Sequence, residues 1–138
     1  QGQATVTVIE FHEFFETGQK DVFHCRGPAG SGSAALQPGT HFGSSCKSDD
    51  SRIKSNSRVV GVETIPVGYE EFAAIHISSH SVFSGKSDGE ANRDEWRRRS
   101  DGLLLKRSTE SEADTNIAGG THYSEHYTIR LLSTKPRR

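Results

Sequence analysis

The stretch Phe72-Ala73-Ala74-Ile75-His76-Ile77-Ser78-Ser79-His80-Ser81-Val82 decides how this chain is read. In an extended backbone, successive side chains point to opposite faces. Phe72, Ala74, His76, Ser78 and His80 then share one face, and Ala73, Ile75 and Ile77 share the other. Turn residues bound it on both sides, at Pro66-Val67-Gly68-Tyr69 and at Phe83-Ser84-Gly85. Such a stretch predicts a central β-strand.

Working outward, Arg58–Ile65 (RVVGVETI) reads as a strand, as do Ala4–Phe15, Asp21–Arg26, Leu103–Arg107 and Tyr123–Ser133. A break in alternation near Val8–Ile9 predicts a bulge. Thr17-Gly18-Gln19 predicts a hairpin turn between the first two strands. Gly27–Ser57 reads as a long loop holding Leu36, Phe42 and Ile53, with a short strand at Thr40-His41-Phe42. Asp88–Ser100 reads as an exposed turn or one short helix around residues 90–99, because Trp96 is its sole large apolar group. Ser108–Gly120 reads as a polar loop, and Lys135–Arg138 as a frayed basic tail. These elements predict one all-β domain over residues 1–138, an antiparallel β-sandwich or β-barrel with long polar loops.

Composition agrees with this class. Apolar residues make up 31% of the chain, and adding its 14 glycines still leaves a lean core against a norm of about 45–50%. A net charge of −1 supplies no overall field for nucleic acid, which is not an expected partner. No apolar run approaches the roughly 20 residues of a spanning helix, so no membrane span is expected.

The chain has no methionine and two cysteines, Cys25 and Cys46. Together these predict a mature extracellular domain, its signal peptide removed, with Cys25 and Cys46 joined as a disulfide. That bond closes a loop of about 20 residues, for roughly 3 kcal/mol by chain entropy. His24 adjoins Cys25, a spacing that suits no zinc ion, and neither a metal nor a cofactor is expected.

Seven histidines are the main candidates for chemistry. His76 and His80 form one HxxxH, and His122 and His126 form another around Glu125. On a helix such a pair clamps zinc, but along a strand four residues span about 13 Å and cannot share an ion. Histidine, carboxylate and arginine can also act as base, acid and phosphate clamp in a small nuclease or hydrolase. Glu10, His12, His76, His80, Glu125, His126 and Arg130 are the parts for that alternative. No GxSxG elbow or GK[ST] phosphate loop is present.

Trp96-Arg97-Arg98-Arg99 has the chemistry of an interface hot spot, able to grip a protein or a sulfated glycan. Alternatively, Trp96 folds onto the sheet while the arginines pair with Asp94, Glu95 and Asp101. The leading expectation is a secreted, non-enzymatic binding protein of effector or elicitor type. It would hold a protein or glycan through Gly27–Ser57 and Trp96–Arg99. The enzyme alternative requires the histidines to converge in space.

Overall fold

In the computed structural model, residues 2–9, 20–27, 36–115 and 119–135 are described. Eight strands follow in chain order: β1 Gly2–Ile9, β2 Lys20–Gly27, β3 His41–Lys47, β4 Ser51–Val67, β5 Glu70–Gly85, β6 Ser87–Arg98, β7 Leu104–Thr115 and β8 Thr121–Arg130. Each pairs antiparallel with the next, giving one sheet in the order β1 to β8. The antiparallel all-β class expected from the sequence is what the chain adopts. Its architecture is a single up-and-down meander.

Three segments differ from their sequence reading. The expected loop Gly27–Ser57 holds β3 and the first part of β4; the expected short helix at 90–99 is strand β6; and most of the expected loop Ser108–Gly120 is strand β7. Their alternation is one of side-chain size and polarity rather than of hydrophobicity. Along β4, half-buried Ser55 and Ser57 alternate with exposed Lys54, Asn56 and Arg58. Ser55 Oγ lies 2.7 Å from Ser81 Oγ, and Ser57 Oγ lies 2.8 Å from Ser79 Oγ. Such cross-strand pairs contribute about 0.2–1 kcal/mol each and pin the register. Gly89 belongs to the same pattern, because a Cβ there would strike the Glu112 carbonyl and Ala113 on β7.

The bulge expected near Val8–Ile9 is not found there, since the β1–β2 ladder runs unbroken from Gly2↔Gly27 to Ile9↔Lys20. Bulges fall instead between Val59 and Gly61 and between Trp96 and Arg97. Their effect is a phase change, because one extra residue reverses which face every later side chain takes. Val59 therefore packs with Ile75 and Ile77, against Leu36 and Phe42, on one face. Val67 packs with Ala74, Trp96 and Leu105, with Ile65, Phe72 and Leu131 beside them, on the other. Val59, Ile75 and Leu105 are each 1% exposed, and full burial of such a side chain contributes about 1.5–3 kcal/mol.

The turn after β4 is tighter than Pro66–Tyr69. Pro66 and Val67 still pair with Glu71 and Glu70, leaving Gly68 and Tyr69 as a two-residue turn. Gly68 has φ +63°, a conformation that hairpin turns of this length require at their first central residue. Residues 10–19, with Glu10, His12 and the expected Thr17–Gln19 turn, lie outside the described residues. So do 28–35 of the glycine-rich stretch and 136–138 of the basic tail.

Cys25 and Cys46 are directly opposite on β2 and β3 and form a disulfide. Because the bridge closes a long chain separation, 21 residues, replacing both cysteines by serine should cost about 3 kcal/mol. Chemical denaturation checks this: the midpoint should fall, and an unchanged midpoint would show that the bridge is structurally idle.

Candidate functional site

The register lays the side chains of β2 to β8 in rows across the sheet. On one face, His76 of β5 stands opposite Trp96 of β6, which stands opposite Lys106 of β7 and then Arg130 of β8. The His76 and Trp96 rings stack with centroids 4.4 Å apart and planes 17° off parallel. Lys106 Nζ lies 4.0 Å from the Trp96 ring centroid, within cation–π range.

Two carboxylates frame this stack. Glu63 Oε1 is 2.7 Å from His76 Nδ1, and Asp94 Oδ1 is 2.7 Å from His76 Nε2. Both contacts are hydrogen bonds only when both ring nitrogens carry protons. Trp96 Nε1 donates to the other Glu63 oxygen at 2.8 Å. That hydrogen bond is the chief cause holding the Glu63 carboxyl below its ordinary value; desolvation opposes it, and His76 and Lys106 add to it. The Val59–Gly61 bulge makes this contact possible, since it turns Glu63 onto the face of His76.

Beyond this row the same face carries separated charge. Arg26 of β2, Lys47 of β3 and Arg52, Lys54 and Arg58 of β4 share it, with His24 and His41 between them. All are exposed, and among the described residues no carboxylate stands on this face of β2, β3 or β4 before the bulge. β6 and β7 contribute Asp88, Glu90, Asp94, Glu110, Glu112 and Asp114 to the same face. Between the two fields runs β5, with Val82, His80 and Ser78. A shallow depression of about 300 Å³ lies at this border, lined by His41, Asn56, Arg58, Ser78, His80 and Asn92.

The histidine pairs expected as a site lie apart. β5 and β8 are separated by two strands, so His76 and His80 lie about 14 Å from the β8 row that holds His122 and His126. His80 Nδ1 is 2.9 Å from Asn92 Oδ1, and His122 Nδ1 is 2.9 Å from Asp114 Oδ1. Glu125 takes the face opposite His126, where it accepts from the Tyr123 hydroxyl at 2.8 Å. That bond is the first cause raising the Tyr123 phenol above its ordinary value. Arg130 ends the His76–Trp96–Lys106 row. Among the described residues, no group of three or more His, Cys, Asp or Glu is placed to hold a metal ion.

Trp96, Arg97, Arg98 and Arg99 do not form one surface. Trp96 is 8% exposed and lies in the apolar cluster with Ala74 and Leu105. Arg98 shares its face, pairing with Asp101 and lying over the Phe72 ring. Arg97 takes the other face, where it and Arg107 both bind Glu95. Burial pushes the Glu95 carboxyl up, but the two guanidiniums outweigh it and hold the group below its ordinary value. Arg99 is exposed at the turn.

Sequence reasoning missed Glu63, Lys106, His41 and Arg58, and it placed Asp94 with the arginines rather than with His76. Each is unremarkable alone and gains meaning only as a cross-strand neighbour.

Trp96 is the sole tryptophan, so its fluorescence reports the Glu63 contact. The folded-state value of Glu63 lies below its ordinary 4.5. The stabilisation from its carboxylate is therefore complete above that pH and lost as pH falls through the folded value. Acid titration should show a Trp96 transition below pH 4.5 that Glu63→Gln abolishes. A transition that survives the substitution would contradict the assignment.

No helix among the described residues is long and apolar enough to cross a membrane. Comparison with protein-family models, curated proteins and solved structures finds no match to this chain, so its functional reading rests on the geometry above.

Proposed function

We propose that this chain is a secreted, non-enzymatic binding domain of effector or elicitor type, which holds a protein or glycan partner on the charged face of its sheet. The observation that carries this reading is the separation of exposed charge described above. Arg26, Lys47, Arg52, Lys54 and Arg58 present cations from adjacent strands with no anion among them. Such a field steers a charged partner and fixes its orientation. The Cys25–Cys46 bridge supports an oxidising compartment outside the cytosol.

The state of His76 supports binding over catalysis. A general base needs a ring nitrogen free to face a substrate proton. Both His76 nitrogens are engaged by carboxylates, and its ring is stacked on Trp96. The histidine therefore joins β4, β5 and β6 together.

One observation favours the second reading, a small secreted nuclease or hydrolase. His41, Arg58 and His80 line the same depression, where a phosphate could meet two imidazoles and a guanidinium. That reading predicts RNA cleavage lost in His41→Ala and His80→Ala.

Immobilised heparin, a sulfated polysaccharide, tests the leading reading. The chain should be retained at low salt, with Arg52→Glu/Lys54→Glu eluting at markedly lower salt and RNA left uncleaved. Retention unaffected by the charge reversal would contradict a role for this face.

A further inference from the structure

The charge field on β4 mirrors that on β6 position by position. Lys54 and Glu90 flank Val82, Asn56 and Asn92 flank His80, and Arg58 and Asp94 flank Ser78. One step further along, Arg52 pairs with Ser84 on β4–β5, and Asp88 precedes Gly89 on β6. The sequence Arg-Lys-Asn-Arg on one side of β5 thus stands against Asp-Glu-Asn-Asp on the other, at alternate positions.

We infer that this face docks a second copy of the same chain, about a twofold axis parallel to β5. The inference rests on the reading of this face as the binding surface, and it names the partner. Rotation about that axis keeps each row in place and exchanges β4 with β6 and β3 with β7. Lys54 of one copy then meets Glu90 of the other, Arg58 meets Asp94, Arg52 meets Asp88, and Lys47 meets Asp114. An in-plane axis perpendicular to the strands would instead set cations on cations. The charges therefore select one arrangement, and it is isologous, as twofold interfaces are.

Four further observations agree. Within the chain β4 and β6 are two strand spacings apart, about 9.5 Å, and among the described residues Arg52, Lys54 and Arg58 form no ion pair with the acids of β6. The acidic half also places like charges directly opposite one another, at Glu90↔Glu112 and Asp88↔Asp114. Such pairs are destabilising in the isolated sheet and are relieved by facing cations. At the centre, Val82 is 50% exposed on β5, where the axis sets it against its own copy. It gives the charged surface an apolar contact on the symmetry axis. A net charge of −1 leaves little overall repulsion between copies.

Sedimentation equilibrium over a concentration series tests this. At low ionic strength the chain should approach twice its own mass, and added salt should shift it toward monomer. Lys54→Glu alone and Glu90→Lys alone should each weaken association at least tenfold, because each sets like charges together twice. An equimolar mixture of the two variants should recover it, because every contact between unlike variants is again complementary. That recovery also shows that both variants fold. A chain that stays monomeric at every concentration overturns the inference, as does a dimer indifferent to both reversals. If it is monomeric yet keeps charge-dependent heparin retention, the dimer alone fails; if both are lost, the binding-face reading fails with it.

Discussion

The β4–β5 ladder is the interaction on which the rest of this structure depends. Its strands are 17 and 16 residues long, and they stay paired from Ser51↔Gly85 to Val67↔Glu70. The ladder is fixed at one end by the Gly68-Tyr69 turn, in its middle by Val59 against Ile77, and beyond that by the paired serines. A slip of one residue would move Ile75 and Ile77 off the apolar face and separate Glu63 from His76. Every neighbouring strand takes its register from this pair, so the apolar clusters, the His76 stack and the charge fields all inherit it.

The single extra residue at Val60 has the largest consequence for its size. Before it, the exposed face of β4 carries Arg52, Lys54, Asn56 and Arg58; after it, the same face carries Glu63, Ile65 and Val67. One face of the sheet thereby holds an apolar end, built on Trp96 and Leu105, and a charged end. The His76 row is the seam between them. There an imidazole, an indole and an ammonium lie across three strands, with Glu63 against the His76 and Trp96 nitrogens and Asp94 against the second His76 nitrogen. Among the described residues, His76, His80 and His122, which drew attention as candidates for chemistry, are cross-strand ties.

The central strand was legible in the sequence because Ile75 and Ile77 alternate with polar neighbours, and a hydrophobic pattern of period two is the signal that such reading detects. β6, β3 beyond Phe42 and β7 beyond Arg107 were not, since their inward positions are filled by Ser44, Ala91, Ser111, Thr109 and Ala113, which carry little hydrophobic contrast. A pattern of small against long and charged residues holds the same information, because a sheet needs side chains that fit its face more than it needs greasy ones. Trp96 misled the reading of residues 90–99 because it stood alone there; its apolar neighbours come from β4, β5 and β7. The disulfide was legible from the count and spacing of cysteines. The charge mirror was not, because Lys54 and Glu90 become equivalent only through the register of two ladders.

The apolar cluster, the His76 stack and the charge fields all require residues 87–98 to form a strand in fixed register between β5 and β7. Backbone NOE measurements by solution NMR test it most directly. Interstrand contacts should join the His80 backbone to Asn92 and the Asn92 backbone to Glu110, with extended-chain connectivities throughout β6. Sequential amide–amide contacts of a helix over residues 90–99, or a ladder displaced by one residue, would contradict it.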